Sequence, residues 1–312
     1  MISARLISVV AGCALIAGCA VVNAGASESN EPPAKTPAVT AASAQNKMTP
    51  RDVSYAEKLG WHLGTQAWTF RDRTTFETID TAHAMGLKYI QLYPGQQMMP
   101  GKPDVKVGTD MTKEQRDELK AKLKSANVSA MSFGVVGIEN DEKQARQQFE
   151  FVKDMGMTTL TCEPKKEAWD LVAKLADEYE ISVAVHNHPK PSLYWNPDTV
   201  LEFVKDRSKR VGACADTGHW LRSNLPTVES LKKLEGRIVE LHFKDITDGQ
   251  DQPWGTGKGQ ARAMLEELKR QGFKGQIYVE YELGEGKPLE ENVAKCIAFF
   301  DGVAKELAAN VK

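Results

Sequence analysis

Residues 210–245 have the sequence RVGACADTGHWLRSNLPTVESLKKLEGRIVELHFKD. Two short apolar runs in this segment, 210–216 and 237–243, are typical of buried β-strands. Each run finishes in an ionisable side chain, since Asp216 ends the first and His242 lies near the end of the second. The stretch between the runs is long enough for a helix. The segment therefore predicts one strand–helix–strand repeat of an α/β fold.

The same alternation continues along the chain from residue 61 onward. Amphipathic segments such as 141–155 and 168–179 have apolar residues at helical spacing, and glycines such as Gly86 and Gly156 precede several apolar runs. We predict eight strands, at 61–68, 87–93, 127–134, 157–163, 181–188, 210–216, 237–243 and 276–282.

Eight strand–helix units in about 250 residues predict a (β/α)8 TIM barrel. An open, doubly wound sheet would also alternate strands and helices, but it should carry a glycine-rich fingerprint after its first strand. Residues 64–75, GTQAWTFRDRTT, contain no such fingerprint. We therefore expect an α/β barrel, in which the functional residues gather at the C-terminal ends of the strands.

The composition is that of a globular protein without a basic surplus. The 312 residues include 40 Lys or Arg and 42 Asp or Glu, which gives a formal net charge of −2. Nucleic-acid-binding domains usually carry a clear positive excess, so we expect no nucleic-acid partner. Cys162, Cys214 and Cys296 lie in apolar stretches at a spacing unlike that of zinc sites, and we expect buried free thiols.

The N-terminal segment differs from the rest of the chain. Residues 1–18 combine one positive charge with an apolar run, which predicts a signal peptide. The following Cys19 resembles the lipidated cysteine of a bacterial lipobox; Cys13 and ordinary cleavage near Ala24 are the alternatives. Residues 19–50, rich in Ala, Ser, Thr and Pro, predict a disordered tether before a barrel at 51–312. We expect an exported, periplasmic protein that contacts the membrane only through its lipid anchor.

Ionisable side chains accumulate at the ends of the last five predicted strands. In a barrel these ends meet at one mouth, where crowded carboxylates repel one another unless a cation neutralises them. We therefore predict one divalent metal ion, for which mainly oxygen ligands favour Mn²⁺ or Mg²⁺, with Co²⁺ or Zn²⁺ able to substitute. The ionisable side chains at these strand ends are Glu163 after strand four, His186 and His188 after strand five, Asp216 and His219 after strand six, His242 and Lys244 after strand seven, and Glu280 and Glu282 after strand eight.

At these positions the sequence resembles the xylose-isomerase-like TIM barrels, a superfamily of sugar and sugar-phosphate isomerases and epimerases, inosose dehydratase and endonuclease IV. The resemblance covers residues 61 to about 308. Four motifs carry it: Asp216-Thr217-Gly218-His219, Leu241-His242-Phe243-Lys244-Asp245, Val279-Glu280, and the loop Trp254-Gly255-Thr256-Gly257-Lys258-Gly259. The resemblance implies four metal ligands, Glu163, Asp216, His242 and Glu280.

The resemblance also implies roles for the side chains around the metal. Glu163 and Glu280 would flank the substrate and move protons on and off a carbon beside a carbonyl group. His219 would contact a substrate hydroxyl, Lys244 would stabilise an oxyanion, and His188 is a further catalytic candidate. The implied substrate-binding residues are His186, Trp68, Gln91, Tyr93 and Trp254, with core packing as the alternative for Trp68.

Two features depart from the pattern of the epimerases. Gln91 stands near the end of the second strand, where many epimerases have an acidic residue, and the run His186-Asn187-His188 is closer to the dehydratase-like members. The mouth also shows no obvious arginine clamp for phosphate. We therefore expect a non-phosphorylated sugar or sugar derivative as the small-molecule substrate.

Four functions are compatible with these residues. The first is a metal-dependent isomerase or epimerase that acts by enolisation, and the second is a lyase or dehydratase that eliminates a β-substituent from a keto-sugar or 3-keto-glycoside. Export and the paired histidines favour the second, and the breadth of the family favours the first. A non-catalytic carbohydrate-binding lipoprotein would not need two metal-bound glutamates. An abasic-site nuclease would need more histidines and a more basic surface.

Overall fold

The computed structural model describes residues 51–309. The predicted signal peptide at 1–18, the lipidated Cys19 and the tether at 19–50 lie outside the described residues and stay predictions. Within 51–309, no helix is both long enough and apolar enough to cross a membrane. The three cysteines of this part of the chain are buried free thiols, as expected.

Eight parallel strands close into a barrel, which confirms the predicted TIM barrel. Around the barrel the strand order is β1-β10-β7-β6-β5-β4-β3-β2, so the last barrel strand closes against the first. In residues 51–309 the strands are β1 Trp61–Gln66, β2 Tyr89–Leu92, β3 Ser129–Ile138, β4 Thr159–Pro164, β5 Ser182–His186, β6 Val211–Asp216, β7 Ile238–Phe243, β8 Asp245–Thr247, β9 Gln250–Gln252 and β10 Gly275–Val279. Each of the eight predicted strands overlaps one barrel strand.

Helices alternate with the barrel strands and cover their outer faces. Sequence signals set several of their starts: Thr74 and Glu77 form a capping box before α2, and Thr112 and Gln115 form one before α3. The helices are α1 Ser54–Leu59, α2 Thr75–Ala84, α3 Lys113–Ser125, α4 Glu142–Asp154, α5 Trp169–Tyr179, α6 Pro197–Val204, α7 Thr217–Arg222, α8 Thr227–Lys233, α9 Ala261–Arg270 and α10 Gly286–Ala309. The strands are buried on both faces as a result, which explains their continuous apolar runs.

A two-stranded antiparallel hairpin, β8–β9, follows β7 and was not predicted from the sequence. Asp248 and Gly249 form its turn, and both have positive φ angles, 51° and 82°. An Asp-Gly pair is the dipeptide that a tight hairpin turn requires, because both central residues are left-handed. The sequence therefore contained the turn dipeptide, but the strands on either side are only three residues long.

The glycine-containing loop after β9 is held by the side chain of Asp245, the first residue of β8. Asp245 is buried, and its Oδ2 accepts hydrogen bonds from the backbone N–H groups of Gly255 (2.9 Å) and Gly257 (3.0 Å). Its Oδ1 accepts a third, from Gly259 at 2.7 Å. A Cβ atom at position 257 would lie 2.4 Å from Asp245 Oδ1, so the close approach requires glycine. The loop thus binds a carboxylate of its own chain.

We predict that Asp245→Asn lowers the free energy of unfolding by about 2 kcal/mol, because hydrogen bonds to a charged acceptor are lost and an amide NH2 would face backbone donors. Asp248→Asn is the matched control, since Asp248 is exposed and pairs only with Lys258 among the ion pairs of the described residues. It should leave the free energy of unfolding almost unchanged. Urea unfolding of the two variants measures the difference. Equal stabilities would contradict the role of Asp245.

Candidate active site

The buried carboxylate of Asp216 is fixed at the end of β6 from both sides. Its Oδ1 accepts the backbone N–H of His219 at 2.8 Å and so caps the N-terminus of α7. The side chain of Asn187 holds the backbone of the same residue, because its Nδ2 donates to Asp216 O and its Oδ1 accepts from Asp216 N, both at 2.9 Å. The strand end and the helix start therefore place the remaining oxygen, Oδ2, with little freedom.

Cationic and imidazole groups surround Asp216 Oδ2. Lys244 Nζ lies 2.7 Å away, and the Nε2 atoms of His186 and His219 lie 3.4 and 3.5 Å away. The same ammonium group is 2.8 Å from Glu280 Oε2. Lys244, Asp216 and Glu280 are all buried. Charges in such a place are tolerated only when they are paired, and Lys244 supplies the partner of both carboxylates.

The pKa values of these groups follow from burial and charge acting in opposite directions. Burial alone would raise the pKa of Glu280, but the positive charge of Lys244 and the other groups around the carboxylate together outweigh burial and hold the pKa well below its usual range. Burial likewise opposes the protonated form of His186, yet hydrogen bonds to Asp216 and Glu163 raise its pKa to about 9. For His219 burial prevails, and its pKa falls to about 2. The surroundings therefore favour the protonated form of His186 and the neutral form of His219.

A buried group of ligand atoms could hold a metal ion. The ligand atoms of His186, Asp216, His242 and Glu280 all lie within 4.8 Å of one another. His242 Nδ1 and Glu280 Oε2 are 2.9 Å apart; Nδ1 has no hydrogen-bond partner of suitable geometry within the described residues, whereas Oε2 is paired with Lys244. An imidazole nitrogen facing one carboxylate, with a second carboxylate beside it, is a ligand set that fits a divalent cation. His186 would have to lose a proton to join them.

The predicted ligand Glu163 lies in a neighbouring group. Its Oε1 contacts His186 Nδ1 at 3.1 Å and also makes a short hydrogen bond with His188 Nδ1. Burial would raise the pKa of Glu163, but the hydrogen bonds from the two histidines outweigh it and lower the pKa to about 2. The structure thus brings Asp216, His242 and Glu280 together, with His186 rather than Glu163 as the fourth member, and His186 links the two groups.

A pocket of about 320 Å³ opens above these groups at the C-terminal mouth of the barrel. One wall is aromatic, because Trp68 and Tyr93 meet edge to face with their ring centroids 5.1 Å apart. Trp68 is 41% exposed, so its ring lines the pocket and is not packed in the core. The lining residues are Gln66, Trp68, Tyr93, Pro94, Val135, His186, His188, His219, Glu280 and Glu282. Most predicted site residues therefore line the pocket or touch a residue that does.

Two predicted substrate-binding residues are placed elsewhere. Gln91 is fully buried inside the barrel and does not line the pocket, because its side chain hydrogen-bonds to Glu240, Gln66 and other interior groups. Trp254 is 2% exposed and packs on Phe243, with ring centroids 4.4 Å apart. Both side chains face the protein interior.

Arg222 lies at the edge of the pocket, and the sequence motifs did not reveal it. Its guanidinium donates to Glu282 Oε2 at 2.7 Å, to Asp251 Oδ2 at 3.3 Å and to His219 Nδ1 at 3.1 Å. The spacing of three residues between His219 and Arg222 on α7 indicates a shared face. Asp251 belongs to the unpredicted hairpin, so the full arrangement was visible only in the structure.

Comparisons with known proteins agree with this architecture. A sequence profile described as xylose isomerase-like TIM barrel matches residues 79–302, more than half of the chain. An uncharacterized protein from Parabacteroides distasonis ATCC 8503 is 31% identical, with a TM-score of 0.65; the match covers 77% of this chain and 98% of that one. No curated protein matches the sequence significantly.

More distant solved structures share the fold. D-psicose 3-epimerase from Clostridium cellulolyticum H10 is 14% identical with a TM-score of 0.57, over 80% of this chain and 96% of the epimerase. A protein from Bacillus anthracis described as a probable 3-DHS dehydratase is 12% identical with a TM-score of 0.59, over 77% of this chain and 98% of the other. At these identities the similarity concerns the fold alone.

We predict about one divalent ion per chain in protein purified with Mn²⁺ supplied, measured by mass spectrometry of metals. The ion should be lost in the Asp216→Ala/His242→Ala variant, which removes two of the buried ligand atoms, and should be removable by a chelator. Glu267→Gln is a matched control, because Glu267 is a buried carboxylate that pairs with Arg270 on α9. A folded wild-type protein that binds no ion would contradict the metal site.

Proposed function

The chain belongs to the xylose isomerase-like TIM barrel family, and from this we propose that it is a divalent-metal-dependent sugar isomerase or epimerase. It acts by proton transfer beside the carbonyl group of a non-phosphorylated sugar or sugar derivative. One observation carries the proposal: an ionised carboxylate, Glu280, lines the same pocket as the aromatic side chains of Trp68 and Tyr93. D-psicose 3-epimerase, which has a similar fold, is an enzyme of the proposed class.

The shape and chemistry of the pocket suit a monosaccharide derivative. A volume of about 320 Å³ is at the lower end of the range for small-molecule sites. The rings of Trp68 and Tyr93 offer an apolar surface to the C–H face of a sugar ring. His186, His188 and His219 line the same pocket and offer hydrogen-bonding groups to hydroxyls. Aromatic and polar side chains in one pocket suit an amphipathic sugar ring.

The carboxylates of the site are ionised and can accept a proton. The pKa values of Glu163 and Glu280 both lie below their usual ranges, despite burial, because His186, His188 and Lys244 stabilise the charged forms. Asp216, His242 and Glu280 would hold the divalent ion, with Glu163 or His186 completing the set. When bound, the ion would polarise the substrate carbonyl and stabilise the negative charge that develops on its oxygen.

His188 and His219 complement the carboxylates. The Nδ1 atom of His188 is engaged by Glu163, which leaves Nε2 free on a side chain that is 50% exposed at the pocket. An imidazole in this position can return a proton to the substrate. His219 accepts from Arg222 at Nδ1, and its Nε2–H is therefore the donor available to Asp216 and to a substrate oxygen.

The charges at the mouth favour a substrate without a phosphate group. Of the arginines at the mouth, Arg71 donates to the backbone carbonyl of Glu282, and Arg222 is already paired with Glu282 and Asp251. A further anion there would meet two carboxylates. An uncharged sugar meets no such repulsion, and its hydroxyls can accept from or donate to the same groups.

A lyase is the second candidate, and the position of His188 favours it. β-Elimination needs an acid on the leaving-group side, and His188 is a half-exposed proton carrier backed by Glu163 at the open edge of the pocket. In that reaction the same carboxylate would remove the proton beside the carbonyl, after which the C–O bond breaks and the leaving oxygen takes a proton from His188. The similar fold of the 3-DHS dehydratase supports this alternative.

We predict that Glu280→Gln and Glu163→Gln each lower kcat by about 10²-fold or more, because an amide cannot accept the proton. Glu267→Gln is the control, since Glu267 is also buried but pairs with Arg270 on α9. Turnover of a panel of ketoses and keto-glycosides by the Mn²⁺-loaded protein, followed by NMR, measures the effect. Wild-type kcat in either variant would remove that residue from the chemistry.

Reaction in D2O separates the two candidate functions. An isomerase or epimerase should place one solvent deuteron on the carbon beside the carbonyl, with the carbon skeleton and all substituents retained. A lyase should release water or an aglycone from the neighbouring carbon and give an unsaturated product. Elimination without any isomerised or epimerised product would overturn the first proposal in favour of the second.

A further inference from the structure

A polar network lies inside the barrel, directly beneath the candidate metal site. Gln66, Gln91, Glu240 and His242 form its core, and each is no more than 1% exposed. We propose that Gln91 fixes the tautomer of His242, so that Nδ1 is the bare nitrogen offered to the metal ion. The proposal rests on the metal-dependent function above. It assigns a positioning role to Gln91, although Gln91 does not line the pocket.

The orientation of both glutamine amides follows from one backbone donor. The backbone N–H of Trp68 lies 2.8 Å from Gln66 Oε1, and a backbone N–H can only donate. The other end of that amide, Nε2, therefore faces Gln91 at 2.5 Å. An amide nitrogen is also only a donor, so the atom of Gln91 that it meets must be the oxygen, Oε1.

The contacts of the amide nitrogen of Gln91 indicate the same orientation of its side chain. Its Nε2 lies 2.7 Å from Glu240 Oε1, a carboxyl oxygen that also accepts from Thr161. Turning the amide of Gln91 around would bring its oxygen against Glu240 and its nitrogen against Gln66, so two hydrogen bonds would become two repulsions. The hydroxyl of Ser132, 2.7 Å from Gln91 Nε2, can rotate to suit either case and does not affect the argument.

The fixed oxygen of Gln91 then determines which nitrogen of His242 carries hydrogen. His242 Nε2 is 2.6 Å from Gln91 Oε1, which can only accept, so Nε2 must be protonated. In a neutral imidazole the other nitrogen, Nδ1, is then an acceptor. It faces Glu280 Oε2 at 2.9 Å and Asp216 Oδ2 at 4.0 Å. A histidine binds a metal through its unprotonated nitrogen, and an orienting hydrogen bond on the other nitrogen is what sets that choice.

The network also makes Glu240 part of the support for His242. Its carboxyl group cannot reach the pocket, but it holds Gln91 Nε2 and so prevents the amide from turning. The sequence Glu240-Leu241-His242 places both side chains on the inner face of β7, one residue layer apart. The chain from Trp68 N–H through Gln66 and Gln91 to His242 thus links the aromatic wall to the metal ligand.

Metal affinity tests the proposal without relying on activity. Gln91→Leu removes the oxygen that accepts from His242, and we expect its Kd for Mn²⁺, measured by calorimetry, to rise about 10- to 100-fold above that of the wild type. Gln96→Leu is the matched control: Gln96 is a buried glutamine that hydrogen-bonds to Thr78 and Thr75, away from the metal group. Its Kd should be unchanged. A folded Gln91→Leu variant with wild-type affinity would overturn the proposal.

The tautomer itself can be measured in the unaltered protein, which keeps the proposal testable even if Gln91→Leu fails to fold. Long-range proton–nitrogen NMR of metal-free, ¹⁵N-histidine-labelled protein should show hydrogen on Nε2 of His242. A bare Nε2, with hydrogen on Nδ1 alone, would overturn the proposal. A wild-type protein with the expected tautomer that binds no Mn²⁺ would contradict the metal-dependent function and still support the positioning role of Gln91.

Discussion

The buried carboxylate of Asp216 constrains the whole mouth of the barrel. It has no contact with solvent, so each of its hydrogen-bonding groups must be satisfied by the protein. One oxygen caps α7, the backbone is clamped by Asn187 from the end of β5, and the other oxygen requires a cation, which Lys244 brings from the end of β7. Lys244 in turn holds Glu280 beyond the end of β10. The ends of four strands are thereby fixed relative to one another by one charge and its partners.

Lys244 stabilises the two carboxylates of the site whether or not a metal ion is bound. Because its ammonium group neutralises Asp216 and Glu280 in the dry interior, the two carboxylates are stabilised before any ion binds. A divalent ion would therefore add to a site that is already ordered. Groups held in place before the reaction need not reorganise during it, which is the basis of electrostatic catalysis. The same arrangement predicts a barrel whose fold does not depend on the metal.

The sequence determined the barrel and the end at which its polar groups gather, because apolar runs and strand-end charges are local signals. It did not determine which side chains meet. Glu163 turns towards His186, the last residue of β5, and His188, just beyond it, because both imidazoles hydrogen-bond to its carboxylate. Gln91 lies too deep to line the pocket, and Trp254 packs on Phe243. The partnership of Arg222 with Asp251 depends on a hairpin with strands of three residues, too short for periodicity to reveal.

The glycine-containing loop after β9, which binds the side chain of Asp245, affects which substrates the site can accept. Backbone N–H groups in the loops after the last two strands of TIM barrels are a frequent place for phosphate to bind. Here Gly255, Gly257 and Gly259 direct their N–H groups at the Asp245 side chain, which occupies the place of an external anion. A phosphate group would have to expel a buried carboxylate that these three N–H groups already hold. The Asp245 side chain thus occupies the loop itself, which supports the proposal of a substrate without a phosphate group.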